Sequence, residues 1–168
     1  MNLNTIIGGS TLKAYPSSFD SGLLNGAPVA LVASNIRGFS DFIGWSRAQG
    51  SDVIVLDQQN LKPFLEFRKD LVLVMVDLDD CELEDALDDL ADIRERHPHL
   101  AIILTSSILG RDDFSLSRLS VCDVSLKLPL RISKLDLAVV LALENNIEWQ
   151  RRQASSGTVR KGAHVNIL

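Results

Sequence analysis

Aromatic residues supply only 5% of the 168-residue chain, and cysteines number two, Cys81 and Cys122. A core so poor in rings must be filled by Leu, Ile, Val and Ala, which suits helices on a parallel sheet better than a β-sandwich. Two distant cysteines without Cys-x-x-Cys spacing exclude a disulfide framework and a zinc site, and read as reduced thiols. The histidines, His97, His99 and His164, share no spacing with carboxylates or cysteines that would build a metal or catalytic centre. No Gly-x-Ser-x-Gly elbow supports a serine nucleophile, so no enzyme activity is expected. No apolar run reaches the roughly 18 to 20 residues of a membrane span, and MNLNTIIGGSTLK lacks a basic region followed by a long apolar stretch. A cytoplasmic protein without membrane contact is therefore expected.

What is present is a hydrophobic fraction of 46% against 23% charged residues, enough to bury a core. The net charge of −5 argues against nucleic acid as a partner. That charge is unevenly placed. Half of the 22 acids lie between Asp70 and Glu95, whereas 151–168 carries Arg151, Arg152, Arg160 and Lys161 with no acid. Within the first of these regions, the acidic stretch 77–92 reads as a solvated helix face or as a docking surface for a basic partner or for the tail.

Five strand-length apolar runs follow Pro28: PVALVA (28–33), DVIVLD (52–57), LVLVMVD (71–77), AIILTS (101–106) and CDVSLK (122–127). Segments with helical spacing separate them. The clearest is 82–96, where Leu83, Leu87, Leu90 and Ile93 form one apolar stripe that His97-Pro98 terminates. A last helix is expected from Ser133, as N-cap, to about Arg152. Alternating strands and helices require crossover connections, hence an α/β fold with a parallel five-stranded sheet covered on both faces. The expected organisation is a mobile N-terminal arm (1–27), one domain (28–152) and a flexible basic tail (153–168).

In such a sheet the functional crevice lies beyond the carboxyl ends of the strands. Those ends are Ala33-Ser34-Asn35, Asp57, Asp77 to Asp80, Thr105-Ser106-Ser107 and Lys127-Leu128-Pro129. An Asp ends the third strand, a Thr and a small residue end the fourth, and a proline follows the fifth with the spacing Pro129-Leu130, Ile132, Leu135. On these features residues 28–150 resemble the response-regulator receiver family. The resemblance implies a doubly wound, flavodoxin-like sheet of order 2-1-3-4-5. It also implies a phosphoryl group passed from a kinase histidine to Asp77, Mg²⁺ held by an acidic pair after the first strand, and phosphoryl contacts from Thr105 and a strand-five lysine.

Matched position by position, Asp77 and Thr105 fit and the acidic pair does not. Its positions fall on Ala33 and Ser34, or on Ser34 and Asn35 after a one-residue slip. Lys127 stands one residue too early, on the opposite face of a regular strand, and would need a bulge to reach the site. Asp77 and Asp79 are the remaining candidates for a metal, and Mg²⁺ is expected only if the receiver site works. Ser125 stands near the place where many receivers carry a rotating aromatic.

The final helix, with apolar residues almost continuous from Leu135 to Leu143, presents more hydrophobic surface than one sheet face covers. Leu137, Val140 and Leu141 are therefore expected in a homodimer interface, on the surface that receivers build from their fourth helix, fifth strand and fifth helix. The expected function is a phosphorylation-independent signalling module that acts by protein-protein interaction or dimerisation, with a histidine kinase or another signalling protein as partner. Two alternatives stand beside it. One is a working receiver phosphorylated on Asp77; the other is a flavodoxin-like flavin protein, which would need a phosphate-cradling loop after the first strand.

Overall fold

The computed structural model describes residues 22–79 and 81–162, with side chains through 156. Five parallel strands form one sheet: β1 (Val29–Val32), β2 (Val53–Leu56), β3 (Leu73–Asp77), β4 (Ala101–Ser106) and β5 (Val124–Lys127), in the order β2-β1-β3-β4-β5. Every expected run contains its strand, and the doubly wound topology is the one expected. Helices α1 (Ser40–Ala48) and α4 (Ile132–Gly162) cover one face; α2 (Gln58–Phe67) and α3 (Leu83–Arg96) belong to the other.

Side-chain alternation divides the core. Leu31, Met75, Ile103 and Leu126 join Phe42, Leu135 and Val139 on the α1/α4 side, whereas Val32, Val74, Ile102 and Leu104 join Leu61, Leu90 and Ile93 on the other. Full burial of such a side chain stabilises by about 1.5–3 kcal/mol, so a one-residue slip in any central strand would exchange the two cores.

Four expectations are corrected. The segment between β4 and β5 holds no α-helix among the described residues, only a 3₁₀ turn at Leu116–Arg118. Its residues explain why: Gly110 lowers helix propensity, and short polar side chains turn back on the backbone. Asp113 accepts from Ser115 N–H (2.9 Å) and Asp112 from Lys127 N–H (2.8 Å), while Asp113 and Ser125 form an isolated antiparallel bridge on β5. The helical segment expected between the fourth and fifth runs is thus absent, and the expected dimer face lacks its fourth-helix component.

Second, the α3 stripe is only partly covered. Leu90 and Ile93 are buried, but Leu83 is 48% exposed because the element that would flank it is missing. Third, α4 begins at Ile132, so Ser133 lies within it; Asp41 of α1 accepts the Ile132 N–H at 3.2 Å in place of a local cap. The same helix continues past Arg152 to Gly162, so 153–162 is helical. Fourth, the expected arm is docked at its end, with Leu24 buried in the α1/α4 core. Residues 1–21 of the arm and 163–168 of the tail lie outside the described residues. No described helix is long and apolar enough to cross a membrane.

Candidate functional site at the strand ends

Strand register brings one row of side chains to the carboxyl ends of the strands. Asp77 pairs with Thr105, and Thr105 with Leu126, all on the α1/α4 face. Ala33 follows Val32, which pairs with Val76, and so lies at the same level just past the end of β1. Asp77 is 6% exposed; its Oδ1 accepts from Thr105 Oγ1 at 3.4 Å and from Asp79 N–H at 3.3 Å. The acceptor and hydroxyl positions inferred from sequence therefore meet.

The remaining positions do not supply the missing charges. Ala33 is buried, Ser34 is exposed, and the Asn35 side chain accepts from Arg37 N–H at 3.1 Å to start the 3₁₀ turn Ile36–Phe39. β4 and β5 pair without interruption from Ile103↔Val124 to Ser106↔Lys127, so no bulge redirects Lys127. Lys127 falls on the opposite face and lines a shallow cleft with Arg111, Asp112 and Lys134. Leu128, which directly precedes Pro129, takes the α1/α4 face instead and packs against the core. Ser125 is buried and accepts from Arg118 at 3.1 Å.

Sequence reasoning considered Asp79 only as a metal ligand, yet it fastens β3 to β4. Ser106 Oγ donates to Asp79 Oδ1 at 2.6 Å, and Ser107 N–H to Oδ1 and Oδ2 at 2.9 and 3.0 Å. The Ser106 hydroxyl in turn accepts from Ile108 N–H at 3.2 Å. The Ser106 bond, followed by those from Ser107, holds the Asp79 carboxyl below the ordinary carboxylate range. The latch was visible in sequence only as an acid near a Ser-Ser pair.

A depressed carboxyl stabilises the folded form above its ordinary range, and that contribution is lost as pH falls through the lowered value. Protection of the Ser107 amide from hydrogen exchange is therefore expected to stay level from neutrality to about pH 5 and to fall under more acidic conditions. In Asp79→Asn it should be lower at neutrality and flat across that range. The effect on global stability is small, because Asp79 is exposed and screened.

Mg²⁺ demands near-octahedral oxygen donors, normally including one or two carboxylates. Asp79, whose N–H bonds Asp77, already accepts three hydrogen bonds on its carboxylate, and no described group of three His, Cys, Asp or Glu side chains is placed to hold a metal. The described residues do not fit the ion.

No family model matches the chain, and no curated protein matches it in sequence. Solved structures do. A response regulator from Thermotoga maritima superposes with a TM-score of 0.58 at 24% identity, over 70% of this chain and 97% of that one. An orphan response regulator of H. pylori gives 0.55 at 19%, over 69% and 95%. A response regulator receiver domain protein from Clostridium thermocellum gives 0.53 at 17%, over 70% and 94%. With the strand order and the strand-end row already described, these likenesses show that the chain has the fold of the response-regulator receiver domains.

Proposed function

We propose that the chain is a non-catalytic signalling module of receiver fold that acts through protein-protein contacts and self-association, without a phosphoryl switch at Asp77. One observation carries this reading. The row containing Asp77 and Thr105 is completed by Ala33 and Leu128, where the resemblance calls for a carboxylate and an ammonium group. Phosphoryl transfer is catalysed almost wholly by positioning and charge neutralisation, and the loss of one electrostatic element costs about 10²- to 10³-fold in rate.

Self-association would use the α4 surface, where Leu137 is 54% exposed and Val140 and Leu141 are half-buried. Leu135, Ala138, Val139 and Ala142 are fully buried, so this patch is narrower than the sequence suggests. One experiment tests both parts: sedimentation equilibrium and intact mass, with and without Mg²⁺ and acetyl phosphate. A dimer of the 18.5 kDa chain is expected under both conditions, with Asp77 unlabelled and Leu137→Asp monomeric. Stoichiometric labelling of Asp77, or dimerisation that requires the phosphoryl donor, would overturn the reading.

A further inference from the structure

The missing helix between β4 and β5 leaves a groove of about 610 Å³ beside α3. Its floor is Leu104, Val121 and Cys122; Leu83 and Leu87 of α3 form one wall, and Ile108, 83% exposed, forms the opposite lip. An open apolar trough of this kind is a binding feature rather than ordinary surface. Being half open and flanked by a helix, it is shaped for an elongated apolar ridge.

Charge identifies the ridge's flank. On α3, Asp89 and Asp92 turn toward α2 and share Lys62, at 2.5 and 3.1 Å. The 3.6-residue period places Glu84 beside Leu87 on the groove side, with Glu95 and Asp88 farther round toward solvent. All three are exposed, and no described cation pairs with them. Among the described residues the groove lining holds one cation, Arg118, engaged by Ser125 at 3.1 Å and 3.6 Å from Asp113, and one acid, Asp79, bonded to Ser106 and Ser107. An apolar groove beside the exposed acids of α3 complements an amphipathic helix whose apolar stripe is bordered by Lys or Arg.

We infer that this groove is a docking site for a basic amphipathic helix of a partner protein, seated on the α3 side where the sheet lacks its own helix. The inference rests on the interaction-module reading above, and names a partner class and a face for it that do not depend on Asp77.

The probe is a fluorescein-labelled 18-residue synthetic peptide of Leu and Lys with Leu at helical stripe positions, followed by anisotropy against the full chain. A Leu/Glu twin serves as the charge control. Binding is expected for the Lys peptide alone. It should weaken about tenfold or more in Leu83→Asp/Ile108→Asp, which alters only exposed side chains, and in Glu84→Lys/Asp88→Lys. It should be unchanged in Phe67→Asp, an exposed apolar residue at the end of α2.

Equal binding of the twin, or full affinity in Leu83→Asp/Ile108→Asp, would overturn the inference. So would peptide binding that appears only after Ile6→Asp/Ile7→Asp, which would make residues 1–21 the occupant. A dimer that Leu83→Asp/Ile108→Asp dissociates, with no peptide bound by the wild type, would assign the groove to a second copy and equally overturn it. Labelling of Asp77 with peptide binding intact would overturn the preceding reading while supporting this one.

Discussion

Replacing Arg94 by methionine is expected to destabilise the protein by about 3–5 kcal/mol, the loss typical of stripping one partner from a buried ion pair. Arg94 and Asp123 are both fully buried, with Nη1 and Nη2 donating to the two carboxylate oxygens at 2.6 and 2.5 Å. Burial pushes the Asp123 carboxyl up, and the guanidinium pulls the other way to hold the charge. Around this pair, Arg94 Nε donates to Leu119 C=O at 3.1 Å, Ile102 N–H to Asp123 at 2.7 Å, and Asn145 Nδ2 to the Asp123 carbonyl at 2.7 Å. The guanidinium also lies 5.2 Å from the Trp149 ring centroid. One side chain thus ties α3, the β4–β5 connection up to the residue before β5, and α4 together where a connecting helix is absent.

Since a domain's whole stability is about 5–15 kcal/mol, Arg94→Met should lower the chemical-denaturation midpoint severely or leave the chain unfolded. Arg94→Met/Asp123→Leu should recover much of the loss, because no charge is then buried without a partner. A double variant no more stable than the single one would show that the pair fixes geometry rather than balancing charge.

The legibility of this fold in sequence follows from its periodicities. Five β-branched and Leu-rich runs, each bounded by turn residues, specify five parallel strands, because a strand buried on both faces is apolar along its whole length. The Asp77-Thr105 pairing was equally readable, since both residues end consecutive strands. The β4–β5 connection was not. Its Ser and Asp residues make local bonds that compete with a helix, and alternation with the other segments masked that competition. Arg94 was hidden differently: a basic residue in the last turn of an acidic helix reads as solvated, and its partner Asp123 is distant in sequence. The Asp79 latch needed the three-dimensional closeness of two strand-end loops. Leu128, by contrast, was legible, as it stands directly before Pro129 where the resemblance calls for lysine.

Restoring the charges missing from the strand-end row should restore chemistry at Asp77. In Ala33→Asp/Ser34→Asp/Leu128→Lys, labelling of Asp77 by acetyl phosphate with Mg²⁺ is expected to rise at least ~10²-fold over the wild type, the typical worth of one electrostatic element. Leu128 shares the α1/α4 face with Asp77 and Thr105, so a lysine there projects toward the row, whereas Lys127 in an unbroken strand does not. The new carboxylates at 33 and 34 give the metal the oxygen donors that the natural residues lack. Each single substitution alone should recover far less, because groups acting as a unit are strongly non-additive. The buried acid at position 33 should also lower thermal stability, and Mg²⁺ should relieve that loss by binding only the folded form. Adding Asp77→Asn to the triple variant should abolish the label. A triple variant that folds, gains stability with Mg²⁺ and still takes no label would show that the composition of the strand ends is not what silences Asp77, and would turn attention to the Asp79 latch, whose carboxylate already holds the Ser106 and Ser107 donors.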